Sequence, residues 1–309
     1  MTTFTSIKNN NYDRIIEELN NKGWNFGSGS PDKILIIANS RVANRGGFGN
    51  LYKIFSRRYG QLANDMLLKR ESNLVSFFTG SMDKKTSIER KTGIEHLISF
   101  YNDKDYGELS AMLRANGVQA VNLKKHSDKE VIVSKIEELK QLRLNGSVKG
   151  VFEYVIENKI ARISGGLQKF IDRINTDLEG LDKEKRDKIE NDLNFYNSLM
   201  DLPYIEVIKF FKHTQNENVF STKHGTKGEE YRNVLVVIDD TNWKQQYNFE
   251  HYFDDSEERQ DRKERTKNLF YVSCSRAKEN LVVLALSKMG TPAMNKINSW
   301  FEAKNVRAI

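Results

Sequence analysis

The sequence has one cysteine, three prolines and no long apolar run among its 309 residues. The single thiol, Cys274, excludes an internal disulfide and favours a reducing compartment. No stretch approaches the roughly 20 consecutive apolar residues of a membrane-spanning helix. The amino-terminal stretch MTTFTSIKNNNYDR also lacks the apolar segment of a secretory signal. We therefore expect a cytoplasmic protein that has no membrane partner.

Two phosphate-binding motifs are missing as well. Nothing fits G-x-x-x-x-G-K-[ST], because no Lys-Ser/Thr follows Gly46-Gly47-Phe48-Gly49 and the spacing is wrong at Gly225-Thr226-Lys227-Gly228. No G-x-G-x-x-G follows a predicted strand, which argues against a Rossmann-type dinucleotide enzyme. A nucleotide-binding role would therefore need phosphate ligands from another segment or chain.

The composition is that of a globular protein with a basic excess. Hydrophobic residues make up 38% and charged residues 29%, and the length is sufficient for two domains. The net charge of +7 favours a polyanionic partner, nucleic acid before membrane. An ordinary basic, solvated surface is the alternative explanation.

Two stretches in the last hundred residues combine charged groups with apolar strands. The first, 220–239, reads FSTKHGTKGEEYRNVLVVID: a short strand, a Gly/Lys/His-rich loop and a second apolar strand. The second, 263–286, reads KERTKNLFYVSCSRAKENLVVLAL: a charged helix that leads directly into a strand. Units of this kind predict an α/β sheet with functional side chains at its edge.

These stretches resemble two motifs of the UvrD/Rep/PcrA family of superfamily 1 DNA helicases. Thr222-x-His224-x-x-Lys227-Gly228-x-Glu230-Tyr231-x-x-Val234 is similar to motif V, and the run from Leu269 to Lys278 is similar to motif VI. The resemblance implies a RecA-like parallel sheet flanked by helices, with an inserted, mainly α-helical subdomain. It assigns 1–80 and 204–309 to the second motor domain and 81–203 to the insertion.

The pattern of the middle region fits such an insertion. It predicts helices over Val131–Leu144 and Leu167–Leu181, and another that starts at Pro203. Two capping boxes, Thr86-Ser87-Ile88-Glu89 and Ser127-Asp128-Lys129-Glu130, predict helix starts.

The resemblance assigns nucleotide contacts to side chains in both motifs. Arg276 corresponds to the arginine finger, a planar, permanently charged group that stabilises the transferred phosphoryl. Glu230 corresponds to the carboxylate that binds the ATP ribose. Lys227 and Gly228 supply a charge and a tight turn, and Tyr271 supports the nucleotide side of the cleft. Glu229 departs from the family, which usually has an apolar residue at this position.

Contacts with single-stranded DNA are expected from two loops. The predicted strand 33–38 (KILIIA) is followed by Ser40, Arg41 and Arg45, our candidates for phosphate contacts. Thr222 and His224 correspond to motif V positions that approach the DNA backbone. For the first group the alternative is a solvated turn with helix-capping side chains, and for His224 it is a loop histidine with its hydrogen bonds satisfied.

Two expectations concern position in the fold. The apolar run that ends in Asp239-Asp240 looks like a magnesium-binding Walker B strand, but it follows motif V, so we interpret both aspartates as strand-end polar residues. We also expect Arg276 to lie outside the core and close to the end of the strand that leads into Thr222.

The expected function is the carboxyl-terminal half of a three-prime to five-prime helicase or translocase. ATP with Mg²⁺ would bind between this chain and a first motor domain that carries the Walker motifs and the magnesium ligands. Single-stranded DNA is the expected track, and a nuclease subunit is a further candidate partner. The alternative is a non-catalytic DNA- or protein-binding subunit of a bacterial defence or repair complex that has retained the motor fold.

Overall fold

The computed structural model contains two compact units, Met1–Val42 with Gln215–Ile309 and Ala43–Thr214. It describes residues 2–26, 29–36, 39–83, 85–86, 88–115, 126–215, 220–221, 229–240 and 247–307. For 2–11, 39–41, 61, 126–128 and 220–221 it describes the backbone alone.

Six strands are described. They are β1 (Lys33–Ile36), β2 (Ser81–Met82), β3 (Glu89–Arg90), β4 (Phe220–Ser221), β5 (Tyr231–Ile238) and β6 (Ala277–Ala285). The described helices are α1 (Thr2–Asn21), α2 (Asn39–Gly46), α3 (Gly49–Tyr59), α4 (Ala63–Leu67), α5 (Asn73–Thr79), α6 (Ile94–Asn102), α7 (Tyr106–Ala115), α8 (His126–Asn145), α9 (Val148–Glu157), α10 (Gly165–Ile174), α11 (Lys183–Met200), α12 (Ile205–Thr214), α13 (Phe249–Phe253), α14 (Gln260–Cys274) and α15 (Thr291–Phe301). Within the described ranges, none of these helices combines the length and the apolar character needed to cross a bilayer.

The first unit is built on a parallel sheet whose strand order is β4-β1-β5-β6. Lys33 pairs with Val234 and Tyr231 pairs with Ala277, so the amino ends of β1, β5 and β6 point the same way. Residues 234–238 of β5 are all buried, as a parallel strand covered on both faces requires. The α/β architecture is therefore confirmed, and it is consistent with a RecA-like domain.

One face of this sheet is covered by α13, α14 and α15. Alternate residues of β5 (Val234, Val236 and Ile238) pack in one cluster with aromatic and aliphatic side chains of these helices. The Phe270 ring of α14 lies 5.2 Å from Phe253 of α13, measured between centroids. The aromatic side chains of α13 thus pack against α14, and α15 docks on the same cluster.

Asp240 closes the end of β5. Its two carboxylate oxygens accept hydrogen bonds from the amides of Phe249 and Glu250, each at 2.8 Å, and its side chain is buried. Satisfying free amides at a helix start is the task of an N-terminal cap. Asp240 thus has the structural role expected of a strand-end polar residue.

The second unit is helical among its described residues, apart from one small hairpin. Buried ion pairs join its helices. Glu95 of α6 accepts hydrogen bonds from Nε and Nη2 of Arg143 of α8, and another from the Tyr204 hydroxyl at 2.9 Å. Asp192 of α11 similarly binds Arg58 and Arg173. Such carboxylates specify which helices pack together, because an uncompensated buried charge is costly.

The hairpin overturns one expectation. The predicted capping box at Thr86–Glu89 does not start a helix, because its described residues lie between β2 and β3 and in β3 itself. Asp83 explains the difference, since its Oδ1 accepts hydrogen bonds from the amides of Lys85 and Thr86 at 2.9 and 3.0 Å. An aspartate that bonds the following amides stabilises a turn in competition with a helix.

The other helix predictions hold with shifted ends. The helix predicted over Val131–Leu144 is α8, which begins at His126, so Ser127 lies inside it and does not precede it. The helix predicted over Leu167–Leu181 ends at Ile174. Pro203 precedes α12, which begins two residues later. Residues 81–203 all fall in the second unit, and their separation as an insertion from 1–80 and 204–309 stays a prediction.

Candidate functional site

The amino edge of the sheet brings the two motifs together. Helix α14 ends at Cys274, and three residues later β6 begins beside β5. The Tyr231 amide donates to the Arg276 carbonyl at 2.8 Å. Arg276 therefore lies where β5 and β6 start, next to the residues that end the motif V stretch.

The Arg276 guanidinium is held by neutral acceptors. Its Nε donates to the Val272 carbonyl at 3.0 Å, its Nη1 to the Glu229 carbonyl at 3.2 Å and its Nη2 to the Ser275 hydroxyl at 3.4 Å. Within the described ranges no carboxylate forms an ion pair with Arg276, which is half-buried at the surface. The side chain is thus oriented while its charge stays available to an anion such as a phosphate.

Glu230 lies at the same edge. Its Oε2 is 3.6 Å from the Lys278 Nζ, and both side chains are 58% exposed. A solvent-exposed pair at this distance contributes little to stability. The Glu230 carboxylate consequently remains accessible to hydroxyl donors, the type of group that a ribose presents.

Tyr231 of the motif V stretch forms a cluster with two residues that the motif assignment does not include, Glu229 and Lys33. The Tyr231 hydroxyl donates to Glu229, and the Lys33 ammonium lies 5.6 Å from the Tyr231 ring centroid. Burial raises the pKa of the Tyr231 phenol, and Glu229 raises it further. Burial lowers the pKa of Lys33, whereas the nearby Glu229 carboxylate acts in the opposite direction. The only sequence signal for this cluster is the departure at Glu229.

Tyr271 lies on the last turn of α14, one turn before Arg276. Its side chain is 70% exposed, and its backbone carbonyl accepts the Ser275 amide at 2.9 Å. An exposed tyrosine ring is available for contact with a ligand, and the nucleotide role of Tyr271 stays a prediction.

The structure describes only some of the other residues that were predicted to bind nucleotide or DNA. Lys227, Gly228, Thr222 and His224 lie outside the described residues. The backbones of Ser40 and Arg41 lie in α2, just after the carboxyl end of β1, and their side chains are not described. Arg45 is half-buried in the last turn of α2. The DNA contacts of all these residues stay predictions.

The expected closeness of Arg276 to the strand end before Thr222 is wrong. Ser221 pairs with Leu35, which pairs with Val236, whereas Arg276 precedes the residue that pairs with Tyr231. Five residues of strand separate these levels, roughly 17 Å. Parallel strands are the cause: β4 ends at the carboxyl edge, and β5 must start at the amino edge. Arg276 therefore meets the second half of motif V and not the first.

Comparison with known proteins gives one informative match. No protein-family model matches the chain. The chain is similar to Gabija protein GajB of Bacillus cereus (strain HuB5-5). The two are 24% identical over 302 residues, an alignment that covers 84% of this chain and 40% of the relative. The chain thus spans 40% of the length of this curated relative.

The candidate site falls in the part of the chain that contains both motif-like segments. Arg276 and Glu230 lie at one sheet edge, as far as the described residues extend. The geometry offers a cation for phosphate and a carboxylate for hydroxyls. A nucleotide presents groups of both kinds.

Proposed function

We propose that this chain is helicase-like and supplies one wall of an ATP cleft in a motor that moves along DNA. The motif-like segments 222–234 and 269–278 and the similarity to a Gabija protein support this proposal. The observation that carries it is Arg276, oriented at the amino edge by three neutral acceptors with no ion-pair partner among the described residues.

In this proposal Arg276 contacts the γ-phosphate of ATP and stabilises the charge that develops during phosphoryl transfer. Glu230 accepts hydrogen bonds from the ribose, and Tyr271 lines the nucleotide side. A first motor domain with the Walker motifs supplies the other phosphate contacts and holds Mg²⁺. Opening and closing of the cleft would move the two motor domains along single-stranded DNA in the three-prime to five-prime direction.

The test is DNA-stimulated ATP hydrolysis by the complete native assembly that contains this chain. We expect Arg276→Ala to lower turnover by about a thousandfold or more, with a much smaller change in KM, because the lost contact strengthens in the transition state. Arg276→Lys should also be impaired, since an ammonium cannot present the same fork of donors.

The matched control is Arg259→Ala, which removes an exposed arginine that pairs with Asp261 in the same unit. Its turnover should equal that of the wild type. Turnover of Arg276→Ala within about twofold of the wild type would refute the arginine-finger assignment.

The second candidate is a non-catalytic DNA- or protein-binding subunit of a bacterial defence or repair complex, for which a nuclease is a candidate partner. The distant similarity to a Gabija protein from Bacillus cereus is compatible with it. In that case the native assembly would retain DNA binding, and Arg276→Ala would leave every activity of the assembly unchanged.

A further inference from the structure

Glu229 accepts hydrogen bonds through both its side chain and its backbone at the amino edge of the sheet. Its side-chain carboxylate accepts the Tyr231 hydroxyl, and its backbone carbonyl accepts Nη1 of Arg276 at 3.2 Å. An apolar residue at this position, the usual one in the resembled family, could make only the second contact. Glu229 thus links the Tyr231 side chain of β5 to the residue whose carbonyl orients the guanidinium.

The contacts close into a ring. Tyr231 donates its amide to the Arg276 carbonyl at 2.8 Å and its hydroxyl to Glu229, while Arg276 donates to the Glu229 carbonyl. Each residue is therefore bonded to the other two. A ring of three hydrogen bonds restricts the Glu229 peptide, which is exposed and precedes the first residue of β5.

Electrostatic attraction between Lys33 and Glu229 also favours this position of the Glu229 side chain. The buried Lys33 ammonium lies over the Tyr231 ring, and the Glu229 carboxylate is close enough to stabilise its charged form. The Glu229 carboxylate is thus attracted by Lys33, the first residue of β1, while the Glu229 backbone carbonyl accepts a hydrogen bond from Arg276. A neutral side chain at position 229 would lack this attraction.

We propose that Glu229 and Tyr231 are positioning residues that hold the Arg276 guanidinium ready for a phosphate, an inference that rests on the proposed function. The acceptors of Arg276 are neutral, so a phosphate, whose hydrogen bonds are charge-assisted, displaces them readily. Before that exchange the ring limits the conformations of the arginine, which reduces the freedom it must lose in the transition state.

The first experiment needs neither nucleotide nor partner. Nitrogen-15 NMR of the arginine side chains, with Arg276 assigned by its loss in Arg276→Lys, measures rotation of its guanidinium. We expect restricted rotation in the wild type and at least about threefold faster rotation in Tyr231→Phe and Glu229→Leu, because each removes one bond of the ring. Unchanged rotation in both variants would overturn the proposal.

A matched control exists in the second unit. The Tyr154 hydroxyl donates to Glu138 at 2.9 Å, the same pair of groups in a place without a neighbouring functional arginine. Tyr154→Phe should leave the Arg276 signals unchanged. A change of equal size in this control would also overturn the proposal, because it would mark a global effect of losing any such bond.

The second experiment measures hydrolysis by the native assembly. We expect Tyr231→Phe to lower kcat about 3- to 10-fold with a KM change below about twofold, and Glu229→Gln to be milder than Glu229→Leu because its amide oxygen still accepts. In an Arg276→Ala background these changes should have no further effect. Equal losses in that background would overturn the positioning role.

The two experiments separate the possible failures. If guanidinium rotation responds to Tyr231→Phe but Arg276→Ala leaves turnover intact, the ring positions Arg276 and the proposed ATP chemistry is wrong. If Arg276→Ala abolishes turnover but Tyr231→Phe changes neither rotation nor kcat, the ATP chemistry stands and the positioning role is wrong.

Discussion

Asp240 offers a direct test of how the end of β5 is built. Asp240→Ala removes a buried carboxylate that accepts two amides at 2.8 Å and so leaves both amides at the start of α13 without that acceptor. A lost N-terminal cap costs about 0.5–2 kcal/mol, and hydrogen bonds to a charged group are stronger than average. We expect a loss of about 3 kcal/mol in the free energy of unfolding. Asp240→Asn, which keeps one acceptor oxygen, should lose about half as much.

The assay is urea unfolding followed by tryptophan fluorescence. All three tryptophans (Trp24, Trp243 and Trp300) belong to the first unit, so the signal reports on that unit alone. The midpoint should fall with an unchanged slope, as expected when stability alone changes. Asp254→Ala is the control, because among the described residues Asp254 accepts hydrogen bonds only from the Ser256 amide and hydroxyl at the end of α13. Its loss should stay below about 1 kcal/mol.

The outcome also decides between two roles for this acidic strand end. A loss in Asp240→Ala of less than about 0.5 kcal/mol would refute the capping argument. If such a stable variant also lost Mg²⁺-dependent nucleotide binding, the Walker B interpretation would be preferred.

Two further predictions concern buried carboxylates. Burial alone would raise the pKa of Asp32, but the Arg232 guanidinium and an amide hydrogen bond lower this pKa below its usual 3.8. The stabilising effect of the Asp32 carboxylate should therefore be present above about pH 4 and disappear as the pH falls through the folded-state pKa. Urea titrations at each pH should therefore show a flatter profile below pH 5 for Asp32→Asn, and identical profiles would contradict the ion-pair argument. In the second unit, Glu95→Ala should cost about 3–5 kcal/mol because it leaves the buried Arg143 without its counter-charge, and adding Arg143→Met should recover most of that loss. Unfolding followed by far-UV circular dichroism measures the stability of Glu95→Ala and of the double variant. A loss below about 1 kcal/mol in Glu95→Ala alone would refute the argument from an unpaired buried charge.

Those parts of the fold that have a continuous local signal could be predicted from the sequence. The apolar runs of β1 and β5 are typical of strands covered on both faces, and charged α14 followed directly by β6 appears as a change of period. The hairpin could not be predicted, because β2 and β3 have two residues each and Asp83 decides the turn.

The parts of the candidate site that depend on contacts between distant residues could not be predicted from the sequence. The residue types at Arg276 and Glu230 point to a nucleotide through their motifs, and the sheet brings both to one edge. The distance from Arg276 to the end of β4 was misjudged because it depends on strand direction and order. The link between Tyr231 and Glu229 depends on side-chain contacts at the start of β5, which no spacing in the sequence specifies.

Strand β5 runs between two edges of the sheet that carry different functional groups. Its eight residues extend about 23 Å, with Arg276 beside its first residue and the Asp240 cap just after its last. Residues 234–237 of β5 pair with both β1 and β6, so this part of the strand can lengthen or shorten very little. A displacement of β5 beside the guanidinium would therefore be carried along the strand toward the Asp240 cap.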